Sequence, residues 1–498
     1  MTPDFSLVEA YTSKTTGFKF RGLELRFALS HGLFSSAGVD RGTALLLRVL
    51  SRVWDEDRAA GRPPPRRILD AGCGAGIIAV CAAAALQNIP GGWTGTRGAG
   101  DAGSPEFYLR AQDRDELARL FTGYNARING VDSECFSAHT EALLSSPPGS
   151  RWDLILSNIP AKAGRPVLED FVHRSIRLLN PGGKVLIVAV NTLADFFRSQ
   201  ISGAGGRLVR EGAAAQGAAA QRAGAEHTVF VYAAGPGAEG EIAAGEQPRS
   251  RPGGAAGAET PGVETVRAGA GFLEANPFYR RQTADCELEG VPLRLDTIHG
   301  APGFDRPGGA VEAAAKLTRR LGPPARPAGE AAAPSVLIHE PDQGWFPRWL
   351  LAFPGQSSPV TELVLSGRNI LALEAARHNA LQARPPARAA GETAAGPVLS
   401  VIPMVELSPR GLADFTENSG APAGRFGFIA AFPETVPRTD RRDALWEGLA
   451  ALLAPGGLAV VSLPASEAER FDRKKPPGFC RRGDLKRKGF RALAYEKK

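Results

Sequence analysis

The chain has 498 residues, 43% of them apolar, and its 59 Lys/Arg against 52 Asp/Glu give a net charge of +7. That length exceeds what one hydrophobic core usually serves, so two or more domains are predicted, and the composition is that of a globular protein rather than a disordered one. No run reaches the roughly 18 consecutive apolar residues of a membrane span.

Asp4, Glu9, Lys14 and Lys19 in the opening residues argue against a secretory leader. The cysteines (Cys73, Cys81, Cys135, Cys286 and Cys480) are scattered and form no Cys-x-x-Cys pair. A disulfide framework or a zinc site is therefore not expected, and a reducing cytoplasm is.

In chain order, residues 18–50 (FKFRGLELRFALSHGLFSSAGVDRGTALLLRVL) predict a β-hairpin and then a helix. RILDAGCGAG (67–76) is an apolar strand running into glycines and the helix IIAVCAAAAL. YLRAQDRDELARLFTGYNAR (108–127) is a strand and a helix, RWDLILSNIP (151–160) a strand, and LLNPGGKVLIVAV (178–190) a turn and a strand. Stretches rich in Gly, Ala and Pro at 88–105, 203–226, 233–263, 322–334 and 383–398 offer little apolar area against the entropy of ordering and read as loops or linkers.

The second half echoes the first. CELEGVPLRLDTIHGAPGFDRPGGAVEAAAKLTRRL (286–321), SVLIHEPDQG (335–344), ELVLSGRNILALEAARHNAL (362–381), RFGFIAAFPE (425–434) and LLAPGGLAVVSLP (452–464) follow in the same order at offsets of roughly 254 to 274 residues. Strands alternating with helices predict, in each half, a mostly parallel sheet with helices on both faces. The expected organisation is a catalytic domain at 1–232, a linker at 233–264 and an altered copy at 265–498.

Gly72, Gly74 and Gly76 open a helix after a strand that carries Asp70. Glycines let a backbone approach a ligand closely, and a helix start offers free N–H groups. A Gly-x-Gly alone is equally a tight turn. Asp70 at the strand end can hold a cationic amine, and Asp113, ending the next strand, is placed to accept the hydroxyls of a ribose.

LDAGCGAG, Asp113, YNARINGV and SNIPAKAG (157–164) together resemble the class I S-adenosylmethionine-dependent methyltransferases. HGLFSSAGVDRGTALLL resembles the segment leading into the fold in the "methyltransferase small" group, which includes tandem-duplicated small-subunit ribosomal RNA guanine-N2 methyltransferases with one degenerate copy. The resemblance covers residues 15–232 well and 270–498 as a shadow. It implies two tandem Rossmann-like methyltransferase domains of the α/β class. It also implies S-adenosyl-L-methionine as cofactor, with Asp70, Gly72, Gly74 and Gly76 at its methionine end, Asp113 at the ribose, Glu141 near the adenine and Phe34 as a cover. Glu141 could equally be a surface residue, and His31, which recurs as His299, is read as structural.

In enzymes of this kind that methylate exocyclic amines the strand-end pattern is Asn-Pro-Pro plus an aromatic or apolar residue. The Asn oxygen and a backbone carbonyl accept from the target NH2. Asn158 and Pro160 match and are the expected catalytic residues, whereas Ile159 and Ala161 depart from the pattern. Lys162 faces a phosphate or water.

The second copy has Ile338-His339-Glu340-Pro341-Asp342-Gln343-Gly344 in place of Asp70–Gly76, Gly367 in place of Asp113 and Phe432 in place of Asn158, so it is expected to bind no cofactor. Residues 470–498 hold 12 Lys/Arg and 3 Asp/Glu, and removing them leaves 47 basic and 49 acidic residues. The basic segment 470–491 is expected in a loop-rich region before the last strand, where it either docks RNA or is a solvated tail.

The expected activity is methylation of an exocyclic guanine amine in ribosomal RNA, with no metal and no membrane partner and a monomer favoured. The alternatives are a methyltransferase acting on a protein or small molecule, and a non-catalytic cofactor-binding RNA-interaction protein.

Overall fold

The structure is a computed structural model that describes residues 5–34, 36–89, 107–145, 147–213, 226–236, 271–303, 305–322, 335–353, 360–382, 397–408 and 424–498. The chain divides into an N-terminal and a C-terminal compact unit. Most of the expected linker, from residue 237 to 264, lies outside the described residues, and so do 90–105, 214–225, 323–334 and 383–396.

The N-terminal unit opens with a hairpin of β1 (Lys14–Phe20) and β2 (Leu23–Leu29). Arg21 and Gly22 both adopt positive φ (47° and 84°), the primed turn whose twist suits a two-residue hairpin. Helix α2 (Arg41–Ala59) follows the short α1 (Ser6–Tyr11) and the hairpin. Its stripe of Leu45, Leu46, Val49, Leu50, Val53 and Trp54 is buried.

The sheet comprises β3 (Arg67–Ala71), β4 (Tyr108–Asp113), β5 (Phe136–Thr140), β6 (Trp152–Asn158), β7 (Leu179–Val190), β8 (Gly206–Ala213) and β9 (His227–Ala234). Between them run α3 (Ile77–Gln87), α4 (Glu116–Ile128), α5 (Arg165–Arg177) and α6 (Ala194–Gly203).

The spatial order is β5-β4-β3-β6-β7-β9-β8, parallel from β5 to β7, with β9 antiparallel to both neighbours. Leu154 and Leu156 of β6 join one core with α2 and α3. Ile155 between them faces the other side, where Phe197 of α6 packs on Phe230 of β9 with ring centroids 5.7 Å apart. The chain steps outward from β3 to β4 and β5, then returns to β6 on the far side of β3. That reversal opens a crevice beyond the carboxyl end of β3, flanked by the ends of β4 and β6.

The C-terminal unit repeats the plan. Its hairpin is β10 (Arg280–Leu288) and β11 (Val291–Ile298), followed by α7 (Gly309–Leu321). Its strands are β12 (Ser335–His339), β13 (Glu362–Gly367), β14 (Val398–Pro403), β15 (Phe426–Ala431), β16 (Leu453–Pro464), β17 (Phe479–Arg487) and β18 (Phe490–Lys497). Its helices are α8 (Trp345–Ala352), α9 (Ile370–Leu381), α10 (Arg442–Leu452) and α11 (Ala465–Arg473). The order β14-β13-β12-β15-β16-β18-β17 matches the first sheet strand for strand.

Two local expectations are corrected. Residues 206–213 form the edge strand β8 rather than a loop; Leu208 and Val209 stay 40% and 42% exposed, so the strand carries little of the apolar signal that marks buried ones. The basic segment 470–491 is not loop-rich, because it spans the end of α11 and the whole of β17. No helix among the described residues is long and apolar enough to cross a membrane.

Candidate active site

The register sets three functional positions side by side. Asp70 pairs with Leu156, two residues before Asn158 ends β6, and Ala71 pairs with Gln112, one residue before Asp113 ends β4.

Beyond β3 the chain turns through Gly72, Gly74 and Gly76, with φ of 82°, 55° and 79°. At Gly76 a Cβ would stand 2.9 Å from the Thr122 backbone, so α3 and α4 pack too closely for any side chain there. Gly72 and Cys73 donate their N–H to the Gln112 carbonyl at 2.8 and 3.0 Å, and Gly74 N–H donates to Asp113 Oδ2 at 3.0 Å. Asn125 of YNARINGV clamps the same loop: its Nδ2 donates to the Ala75 and Ala28 carbonyls, and its Oδ1 accepts from Ala28 N–H.

Asp70 is fully buried. Its Oδ2 accepts from Ala79 N–H at 3.0 Å, while its Oδ1 has no hydrogen-bond partner among the described residues. Burial, with the nearby charge of Asp113 adding, pushes its carboxyl up to about 7. A buried carboxylate oxygen with nothing to bind suits a cationic amine. Asp113 is also raised by burial and by Asp115, and accepts from Asp115 N–H at 3.0 Å. Each carboxylate oxygen has a second lone pair for a hydroxyl. The arrangement therefore fits a ligand with an ammonium at one end and a ribose further along, and S-adenosylmethionine is such a molecule.

Glu141 follows β5, and its Oε1 takes a 2.6 Å bond from the buried Arg110. Phe34 stands 70% exposed in the loop between β2 and α2.

At the lip, Ser157 Oγ donates to the Ala71 carbonyl at 2.7 Å, tying β6 to β3. Ile159 is buried, which accounts for an apolar residue there, and Pro160 is exposed, its carbonyl accepting from Ala163 N–H at 2.9 Å. Asn158 Nδ2 donates to Thr43 Oγ1 at 3.0 Å and to Asp40 Oδ1 at 3.2 Å.

Gln112 was not anticipated from the sequence. Its Nε2 donates to the carbonyls of Ala142, Leu143 and Ser145, so this one buried amide holds the loop after β5. Its place directly before Asp113, at the end of β4, was the signal. Asp40 and Thr43 were missed too, although an Asp followed three residues later by Thr at a helix start reads as an N-cap.

In the C-terminal unit the counterpart loop keeps its path but not its room. Glu340 and Asp342 adopt φ of 57° and 53°, the left-handed values held by glycines in the first unit. Glu340 Oε1 accepts from Arg368 N–H at 2.9 Å, and a Cβ on Gly367 would lie 2.9 Å from Glu340 Oε2. The loop's own carboxylate thus takes the space beside the end of β13. Phe432 packs edge-on against Phe346 at 5.2 Å, closing the position of Asn158. Gly344 remains, since a Cβ there would meet Ala376 Cα at 2.7 Å.

Seven of the twelve Lys/Arg of the basic stretch pair with acids within their own unit. Arg487 and Lys488 bind Glu312, Arg481 and Arg491 bind Asp484, Lys474 binds Asp443, Arg470 binds Glu467 and Arg482 binds Glu496. Lys475 and Lys497 donate to backbone carbonyls.

Residues 24–90 match the methyltransferase small domain. The small-subunit ribosomal RNA methyltransferase C of Chromohalobacter salexigens is 33% identical over 179 residues, 35% of this chain and 44% of that protein. The ribosomal protein L11 methyltransferase of Xanthomonas euvesicatoria pv. vesicatoria is 30% identical over 162 residues, 32% of this chain and 43% of that protein. The chain thus spans less than half the length of the curated relatives it matches. Among solved structures, the T. thermophilus 16S rRNA N2 G1207 methyltransferase in complex with AdoMet and guanosine superposes over 99% of this chain and 100% of its own, with a TM-score of 0.53 at 14% identity. In fold the chain is two class I methyltransferase units in tandem, similar to the ribosomal RNA guanine-N2 methyltransferases.

Proposed function

We propose that the N-terminal unit is an S-adenosylmethionine-dependent methyltransferase acting on an exocyclic guanine amine of ribosomal RNA, and that the C-terminal unit binds no cofactor. The observation that carries the reading is the unpartnered, buried Oδ1 of Asp70 at the mouth of a left-handed glycine loop, within one crevice with Asp113 and Asn158.

Asp70 would hold the cofactor's ammonium, Asp113 its ribose hydroxyls, and Gly72–Gly76 would let its backbone-facing side approach. S-adenosylmethionine supplies an electrophilic methyl group when bound. Asn158 does the rest of the positioning. Its carbonyl oxygen accepts one N–H of the target amine and so directs the nitrogen lone pair. A base amine must leave its stack to reach this lip. Ala161 provides no ring at the lip, and the exposed Phe34 is the aromatic face offered by the neighbouring loop.

RNA backbone contact is assigned to the rim of the crevice. Arg41, Lys162 and Arg165 are exposed and, among the described residues, form no ion pair with an acid; Arg114 is exposed too, its charge acting on Asp113. All five cysteines are free, which suits a cytoplasmic setting.

The test is transfer of radiolabelled methyl from S-adenosylmethionine to total RNA and total protein, comparing the full chain with Asn158→Ala. Label in RNA that is lost in the variant supports the reading. Label in protein alone transfers the assignment to a protein acceptor.

A further inference from the structure

An amide can act as the acceptor of a substrate N–H only if its oxygen, and not its NH2, faces the substrate. The two ends are nearly the same size, so something must choose between them. At the end of β6 the choice is made by α2. Asn158 Nδ2 lies 3.2 Å from Asp40 Oδ1 and 3.0 Å from Thr43 Oγ1. A hydroxyl can donate or accept, so Thr43 accommodates either end of the amide. A carboxylate only accepts, so Asp40 admits the NH2 end and repels the oxygen. With Nδ2 held on that side, Oδ1 is turned away from α2 and takes no hydrogen bond from a described residue.

Asp40 is itself fixed. As the N-cap of α2 its Oδ1 accepts from Thr43 N–H at 3.0 Å. Gly42 completes the cradle, because a Cβ there would stand 3.1 Å from Asp40 Oδ1 and 3.3 Å from His227. Asp40, Gly42 and Thr43 thus form one short unit: a carboxylate that caps the helix, a gap that lets it reach β6, and a hydroxyl that shares the amide.

We propose that Asp40 is a positioning residue which, with Thr43, locks the Asn158 amide so that its oxygen faces the acceptor amine. The proposal rests on the reading of Asn158 as the amine acceptor. It assigns to the helix cap a second task that a cap alone does not explain.

The experiment separates the two tasks. Serine is as good an N-cap as aspartate, but its side chain is shorter and its hydroxyl can donate, so Asp40→Ser keeps the helix start and releases the amide. Asparagine keeps an acceptor oxygen at the same reach, so Asp40→Asn is the rescuing control. The full chain and both variants are compared for melting temperature, S-adenosylmethionine affinity by calorimetry, and single-turnover methylation of RNA. Asp40→Ser is expected to lose at least about tenfold in turnover rate, a misplacement penalty, with melting and cofactor affinity unchanged, while Asp40→Asn stays near wild type. Full turnover in Asp40→Ser overturns the proposal, as does an equal loss in Asp40→Asn. Asn158→Ala in the same assay keeps the two readings apart: if it retains turnover, the assignment of Asn158 fails first.

Discussion

Asp70 gives the sharpest physical test of the site. Replacing it by Asn keeps the shape and the acceptor for Ala79 N–H but removes the charge. The carboxyl is pushed from 3.8 to about 7 by burial. The native state therefore retains a proton that the unfolded chain gives up between those values. Stability from this group is complete below pH 3.8 and lost as pH rises through about 7. Roughly three pK units at 1.36 kcal/mol each amount to about 4 kcal/mol.

Asp70→Asn, neutral throughout, should match wild type at low pH and exceed it by up to about 4 kcal/mol at pH 8. The assay equilibrates both proteins in urea at each pH, labels briefly with an alkylating agent after a jump to pH 8, and reads the modification of Cys81, which is fully buried in this unit. Saturating S-adenosylmethionine should narrow the gap, because its ammonium takes the free carboxylate oxygen in wild type only. A difference between the proteins that is flat with pH, or that favours wild type at pH 8, refutes the reasoning.

Gly76→Ala should cost about 2 kcal/mol or more, from a left-handed backbone and a collision with Thr122, seen as a lower urea midpoint by the same Cys81 labelling. Asp342→Asn should raise the melting temperature at pH 8 more than at pH 5, since burial and the Glu434 charge push Asp342 up to about 6 and its ionisation opposes folding above that value. Replacing Arg41, Lys162 and Arg165 together by Gln should lower the salt dependence of RNA binding by about 2 in the log–log slope. Arg473→Gln with Lys486→Gln, in the basic stretch, should leave that slope unchanged.

The duplicated α/β plan was legible because its buried strands are apolar runs and its helices carry apolar stripes. β8 escaped notice for the converse reason, being an edge strand with half-exposed side chains. Asp70, Asp113 and Asn158 stand at, or one residue before, the end of a strand, so a linear position translates directly into a place at the crevice. Gln112, Asp40 and Thr43 could not be given roles from their positions alone. Their importance lies in which backbone groups and side chains fold back onto them, and those partners are up to 118 residues distant. For the basic C-terminal run, a linear count of charge omits acids such as Glu312, which arrives on α7.

The asparagine clamp on the glycine loop is present twice. In the C-terminal unit Asn379 Nδ2 donates to the Gln343 and Asp296 carbonyls at 2.8 and 2.9 Å, and its Oδ1 accepts from Asp296 N–H. There the loop has no cofactor acid to serve, yet it still bends through two left-handed residues that are not glycine. Strained backbone of this kind persists only where its surroundings over-determine it. The loop's shape is thus a property of the scaffold, complete before any ligand arrives. On the proposed reading, cofactor entry into the N-terminal unit then resembles docking to a finished glycine loop, its speed set by encounter and orientation.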